Sequence, residues 1–367
     1  MIRIDKIEAR RVSIPMREPF RISSGEVADK EAIVVKLWDG AAFGWGESSA
    51  MPGGFYSADT PDTCEAELVE KILPELAGRE FMSMDEVEQF LLARSRSGFV
   101  RAAVETAAWE LLARKRGVPL RELFGIVDRP IPSGLAIGLY AETDELRQAI
   151  ERYRPQDYHR LKIKIKRGQD VELVAKVREW LGDFPLFVDA NADYGRESFA
   201  VFQQLDPYKL MMFEQPLAKD DLAGAAELQK IVTTPLCLDE GVESLEDARQ
   251  AIALGSCKIV NIKLQRVGGY SEALRIIREC EASGVPVWMG TMPELGIGSA
   301  QALVLAAHPA FRFPTDVEPS DRWYVDDILQ QELTLQDRNL NVPQGPGLGF
   351  TVDEAKLEKY TVRRWEF

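Results

Sequence analysis

Between Leu161 and Lys263 the chain reads LKIKIKRGQD (161–170), LFVDANADY (186–194), FEQP (213–216), CLDE (237–240) and IVNIK (259–263). Each fragment carries a charged residue at or near the end of a short apolar run, and these residues recur at a regular interval. Lys164, Asp189, Glu214 and Asp239 follow one another at 25-residue steps, and Lys263 comes 24 residues later. Amphipathic helical patterns fill the gaps. The pattern over 170–181 stops at Gly182, that over 245–254 opens after Ser244 and stops at Gly255, and that over 272–282 opens after Ser271 and stops near Gly284. Serine before a helix and glycine after it are the usual capping residues. Short strands alternating with such helices predict βα units on a parallel sheet.

The same texture extends both ways. Strand-like runs stand at 134–138, 160–165, 186–191, 211–214, 236–239, 258–263, 285–290 and 312–316. Eight strands at this spacing predict a closed barrel, whose active-site rim is built at the C-terminal strand ends. Five consecutive strands then deliver Lys, Asp, Glu, Asp and Lys to one rim.

Each fragment alone has a plainer reading. KIKIK can be a strand whose lysines face water. An Asp ahead of a turn, as in VDAN or CLDE, is commonly a cap. Glu214 and Lys263 resist that reading because they end apolar strands, and an ionised group buried there needs a partner. The joint recurrence favours a single site.

Residues 1–125 read as a separate unit of strands followed by helices. Runs 2–14 and 32–38 are strand-like, and REPFRISSGEVADK (17–30) between them reads as a mobile polar loop. GWGESSAMPGGFY (44–56) reads as a glycine-rich connection. Helical patterns follow at 63–76 and 84–94, and a longer one through RAAVETAAWELLARKRG ends at Gly117. The expected domains are 1–125, a barrel over 126–324, and a segment 325–367 that returns to the N-terminal unit.

The whole chain has 367 residues and a net charge of −14, which argues against a nucleic-acid or anionic-membrane surface. Only His159 and His308 are present, so a His-rich zinc site is excluded. Cys64, Cys237, Cys257 and Cys280 form no CxxC pair and read as core thiols of a cytoplasmic protein. No long apolar leader and no membrane-length apolar run is seen.

Residue type then suggests chemistry. Three carboxylates at a barrel mouth suit a hard divalent cation, Mg²⁺ before Zn²⁺. Two lysines near each other and near a divalent charge are pushed toward the neutral amine, so one can act as a base. A lysine base with Mg²⁺ suits removal of a proton α to a carboxylate.

KIKIKRGQD, VDANADY, FEQP, LDE and NIKLQRVGG together resemble the muconate-lactonising subgroup of the enolase superfamily. PFRISSG, GWGESSAMPGGFYS, RGVPL, SDRWY and NVPQGPGLGFTVD extend the likeness over nearly the whole chain. The nearest likeness is to the o-succinylbenzoate synthase and N-acylamino-acid (N-succinylamino-acid) racemase family. That resemblance implies a modified TIM barrel, (β/α)7β, with an α+β capping domain built from the N-terminal region and the C-terminal tail. It implies Mg²⁺, replaceable by Mn²⁺, on Asp189, Glu214 and Asp239. It implies Lys164 and Lys263 as acid/base residues, Lys263 alternatively as an enolate-stabilising cation, and Lys162 as a support that lowers the pKa of Lys164. Phe20, Arg21, Phe55, Tyr56, Asn191, Gly290, Thr291 and Glu294 are implied at the substrate pocket.

The implied activity is a lyase, o-succinylbenzoate synthase of menaquinone biosynthesis, with N-succinylamino-acid racemase activity on the same residues. Dipeptide epimerase, cycloisomerase and acid-sugar dehydratase are the alternatives, and a non-catalytic ligand-binding barrel is the alternative of another class. The implied partners are a small-molecule carboxylate and further copies of the chain, as a dimer or octamer. Ala136 in place of the family's serine, Gly290-Thr291 in place of its double glycine, and Glu318 in TDVEPSDRW depart from the pattern and bear on the substrate.

Overall fold

The computed structural model describes residues 1–342 and 344–367. Lys6–Ile22 and Gly25–Asp39 pair antiparallel, and Ala42–Ser48 pairs on the far edge of the second strand. The segment 17–30, expected as a mobile loop, is instead the tip of this hairpin. Phe20 pairs with Val27 and Ile22 with Gly25, after a register irregularity between Pro15 and Phe20. Its polar content misleads because only one face is covered. Met16, Ile22, Val27 and Lys30 are buried while Arg17, Arg21, Glu26 and Asp29 are exposed, the alternation of a half-buried strand. Likewise, the first half of the expected connection 44–56 belongs to the strand Ala42–Ser48.

Behind this sheet lies the helix Gly98–Arg116, which opens on Ser97 and ends at Gly117 in the left-handed conformation. The first expected helix runs over Pro61–Glu67 and Leu73–Leu76 with a π-helical turn, Leu68–Ile72, between them.

Seven parallel strands follow: Leu135–Ile137, Leu161–Lys164, Leu186–Asp189, Phe213–Glu214, Leu236–Leu238, Ile259–Ile262 and Val287–Met289. They neighbour one another in chain order. Helices join them, and Gly296–Ala306 follows the seventh. The expected eighth strand closes the ring through isolated bridges, Ser133 with Thr315 and Val287 with Phe311, rather than a continuous ladder. Gly134 N donates to Thr315 O at 2.8 Å on one side, and Asp316 N donates to Met289 O at 2.9 Å on the other. The modified barrel with its capping domain is therefore the fold.

Two helix starts depend on the capping domain. The helix expected from 272 begins at Tyr270, because buried Glu105 accepts from Tyr270 N and Ser271 N at 3.0 Å each. Glu47 accepts from Leu295 N and Gly298 N, both at 2.8 Å, at the start of Gly296–Ala306. A carboxylate at a helix N-terminus satisfies orphan N–H groups and meets the positive end of the dipole. The tail returns as Thr361–Glu366, paired with the first long strand.

Phe187, Met212, Cys237, Ile259 and Trp288 form a small apolar floor inside the barrel. All four cysteines are buried and unpaired. Among the described residues no helix is long and apolar enough to cross a membrane.

Candidate active site

The strand register sets the site. Lys164 is level with Asp189, and Asp189 with Glu214. Asp239 and Lys263 stand one residue beyond the fifth and sixth strands. All five residues are buried, with Glu214 and Asp239 at 0% exposure.

A cavity of about 30 Å³ lies above them, bounded by Phe20, Ile22, Met51 and Tyr56 from the capping domain and by Lys162, Lys164, Asn191 and Lys263 from the barrel. Thr291, Ala136, Asp316 and Trp323 complete the ring, with Pro293 beside them. Phe20 packs edge-on against Trp323, with ring centroids 5.0 Å apart.

Lysine ammonium groups take up the carboxylate charges. Lys164 Nζ donates to Asp189 Oδ2 at 2.5 Å. Lys162 Nζ donates to Glu214 Oε2 at 3.3 Å and to Asp316 Oδ2. Lys263 Nζ lies 2.8 Å from Asp239 Oδ2 and donates to Tyr56 Oη at 2.9 Å. Arg266 donates to Asp239 Oδ1 at 2.6 Å.

These pairs set the electrostatics. Burial and repulsion from Asp189 push the Glu214 carboxyl up to about 8. Burial opposes ionisation of Asp239 as well, but Arg266 and Lys263 overcome it and hold the carboxyl well below its ordinary range. Asp316 is held at about 2, since Lys162 and Arg160 outweigh its burial. Burial disfavours the Lys162 ammonium, yet Asp316, Glu214 and Asp189 raise its pKa above the ordinary lysine value. Lys263 is raised in the same way, chiefly by Asp239. Without a bound cation, the protein's own carboxylates thus favour the ammonium form of these two lysines.

The donor set fits a hard divalent cation. Three buried carboxylates converge at consecutive strand ends, and their mutual repulsion contributes to the rise of Glu214. Several buried oxygens nearby lack a hydrogen-bond partner among the described residues: Asn191 Oδ1, Asn261 Oδ1 and Glu240 Oε2. The side chains as they stand are turned to the lysines. No three His, Cys, Asp or Glu groups among the described residues are already gathered around one metal position.

Of the residues expected at the pocket, Phe20, Tyr56, Asn191 and Thr291 meet there with the three lysines. Four do not line it. Arg21 points outward to Glu26 and is about half exposed, because strand alternation sends it to the face opposite Phe20. The Phe55 ring covers Gly25 on the hairpin. Gly290 lies behind the wall, where an added Cβ would stand 2.3 Å from Asn261 Oδ1. Glu294 sits in the joint between capping domain and barrel, its carboxyl pushed up to about 7 chiefly by burial.

Sequence reasoning missed Asp316, Asn261, Arg266 and Glu240. Asp316 ends the eighth strand-like run, so the strand-end rule that selected the other carboxylates applied to it too. Asn261 precedes Lys263 by two positions, and strand alternation puts both on one face. Arg266 and Glu240 carried no local signal.

Comparison with known proteins gives a consistent result. Residues 6–125 match the N-terminal domain of mandelate racemase / muconate lactonizing enzyme, and residues 144–356 match the enolase C-terminal domain-like family. An o-succinylbenzoate synthase of Bacillus subtilis is 39% identical over 364 residues, covering 99% of this chain and 98% of its own. An N-succinylamino acid racemase of Amycolatopsis is 37% identical, covering 99% of each. A crystal structure of an enolase-superfamily member from Listeria innocua superposes with a TM-score of 0.94 at 34% identity, covering 100% of this chain and 99% of that one.

Proposed function

Because the chain belongs to the mandelate racemase / muconate lactonizing enzyme family of the enolase superfamily, we propose that it abstracts the proton α to a carboxylate in a Mg²⁺-dependent reaction. The substrate reading is o-succinylbenzoate synthase, with N-succinylamino-acid racemase activity in the same site. One observation carries it. Lys164 and Lys263 end the second and sixth strands, opposite positions in an eight-membered ring, and both line the one cavity above the three carboxylates.

The lysines supply the chemistry. Lys164 takes the α-proton at Nζ, and the electron pair of the broken C–H bond passes into the adjoining carboxylate as an enolate. In dehydration that pair returns to form the new double bond as the C–O bond breaks, and the departing hydroxide takes the proton back from Lys164 Nζ and leaves as water, while Lys263 keeps its ammonium toward the opposite face. In racemisation Lys263 instead returns a proton from that face. Lys162, held by Asp316 and Glu214, keeps a positive charge beside Lys164. Phe20, Trp323 and Tyr56 cover the cavity and exclude water. Asp189, Glu214 and Asp239 would hold the Mg²⁺ or Mn²⁺, which supplies positive charge against the enolate oxygens and offsets the carboxylate field on the lysines.

The test is NMR of turnover in D₂O with two substrate classes, N-succinylamino acids and the hydrated precursor of o-succinylbenzoate. Loss of water from the precursor, or α-deuteration of the amino acids, is expected. Inertness toward both overturns the reading. A homo-oligomer, dimer or octamer, is proposed with it and is read by light scattering.

A further inference from the structure

Phe20 reaches the cavity from a stretch of hairpin that has left its own ladder. Pro15 pairs with Asp29 and Phe20 with Val27, so residues 16–19 stand opposite Ala28 alone. Extra residues in one strand break the pairing and re-aim the side chains they carry. Here they turn to the barrel side. Met16 bridges Tyr324, and Arg17 Nε donates to Tyr324 O at 3.1 Å. Glu18 meets three donors of the first βα unit. Its Oε1 accepts from Tyr140 Oη at 3.0 Å and from Tyr153 Oη, and its Oε2 accepts from Arg152 Nη1 at 3.0 Å. Tyr140 follows the first barrel strand, while Arg152 and Tyr153 end the helix Thr143–Tyr153.

These bonds join two domains across a half-buried contact. The Glu18 side chain is 26% exposed, so water screens its bonds less than those of an open surface pair. Burial pushes both tyrosine hydroxyls up, so they stay donors at neutral pH. Two more contacts seat the tip just past Phe20. Leu139 N donates to Arg21 O at 2.9 Å, and Gly138 lies so close that an added Cβ would stand 2.8 Å from that oxygen. Tyr153 also closes a circuit of side chains. The Arg322 guanidinium lies 3.7 Å from its ring centroid and 4.5 Å from that of Trp323. Trp323 packs on Phe20, two residues along the chain from Glu18. The Phe20 ring in turn stands 6.0 Å from Lys164 Nζ.

We propose that Glu18 is a positioning residue of the active site: by latching the hairpin tip to Tyr140, Tyr153 and Arg152, it seats Phe20 against Trp323 over Lys164. Glu18 does not itself line the cavity. It acts through Phe20, which holds the substrate beneath it, so its loss weakens substrate retention more than the proton transfer. That kinetic consequence rests on the proton-abstraction reading above; the latch itself does not.

Two readouts on the wild type, Glu18→Ala and Glu18→Gln test this. The first is backbone amide hydrogen exchange of the free enzyme, resolved by segment. Glu18→Ala is expected to speed exchange over residues 16–24 at least tenfold and to leave the helix Tyr270–Ala282 unchanged. Glu18→Gln keeps an acceptor for the tyrosines and is expected to fall between the two; it carries the test if Glu18→Ala does not fold. The second readout is α-deuteration of an N-succinylamino acid in D₂O. Glu18→Ala is expected to raise KM at least tenfold while kcat changes less than threefold. A glutamate that serves only the fold would lower the unfolding temperature and leave both the tip exchange and KM at wild-type values, and that result overturns the proposal. Faster tip exchange with an unchanged KM overturns the positioning role. Absence of turnover by the wild type on every substrate defeats the proton-abstraction reading, and exchange in the free enzyme then decides the latch alone.

Discussion

Asn261 donates a 2.9 Å hydrogen bond to Oε1 of Glu214, joining the sixth barrel strand to the fourth across the fifth. Both residues are fully buried. The bond fixes one oxygen of a carboxylate whose other oxygen faces Lys162. Asn261→Leu removes the donor, and Gly290→Ala drives a methyl into the amide. Each is expected to weaken Mg²⁺ binding by about 10- to 100-fold, the usual consequence of losing a residue that orients a metal ligand. Activity titrated with Mg²⁺ reads this, and an unchanged half-saturation point counts against it.

Lys164→Ala and Lys263→Ala are expected to abolish deuteration on one or both faces, lowering turnover by about 10²- to 10⁴-fold or more. Substrate isotope patterns separate the roles. If each lysine serves one face, each variant retains exchange of only one enantiomer. Full racemisation by either variant refutes the assignment.

Exhaustive chelation should remove activity, and Mg²⁺ or Mn²⁺ should restore it. Asp189, Glu214 and Asp239 stand at the ends of three neighbouring strands in a buried site. Full activity after chelation excludes the metal reading.

Glu47 holds the first turn of the helix Gly296–Ala306 from the capping domain. Glu47→Ala leaves two buried N–H groups without an acceptor, at a cost of about 1–3 kcal/mol each. Glu47→Gln keeps an acceptor and should cost less. Urea denaturation of the three proteins checks the order.

Glu318 gives a pH signature. Its Oε1 accepts from Ala136 N at 2.9 Å and its Oε2 has no hydrogen bond among the described residues. Burial outweighs Arg322 and pushes the carboxyl up to about 7. An acid raised in the folded state binds a proton there that the unfolded chain has released. Stability should therefore fall as pH rises from about 4.5 to about 7, by a total on the order of 2 kcal/mol. Glu318→Gln should remove that slope. Thermal unfolding of both proteins across this range measures it, and parallel curves refute it.

Much of this was legible along the chain. The interval from Lys164 to Lys263 placed five charged residues at strand ends, and the helix Leu245–Leu254 begins and ends where Ser244 and Gly255 indicated. Failures came where an element answers to a distant partner. The hairpin tip at 17–30 looked like a loop because its apolar residues are few, yet Met16 bridges Tyr324 and Phe20 packs on Trp323, far along the sequence. The helix at Tyr270 starts two residues early because Glu105, from another domain, supplies its cap.

The sequence by itself determined the barrel, the order of its charged strand ends and the kind of chemistry they can perform. Periodicity and capping are interactions between near neighbours, so they are written locally. Only the tertiary structure decided which lysine meets which carboxylate, that Asp316 and Asn261 join the site, and that Arg21 and Glu294 do not line it. Those outcomes depend on barrel closure and on how the capping domain seats upon it. Burial then sets the electrostatics: Glu214 and Asp239 are both carboxylates at strand ends, and the cations around each move them in opposite directions.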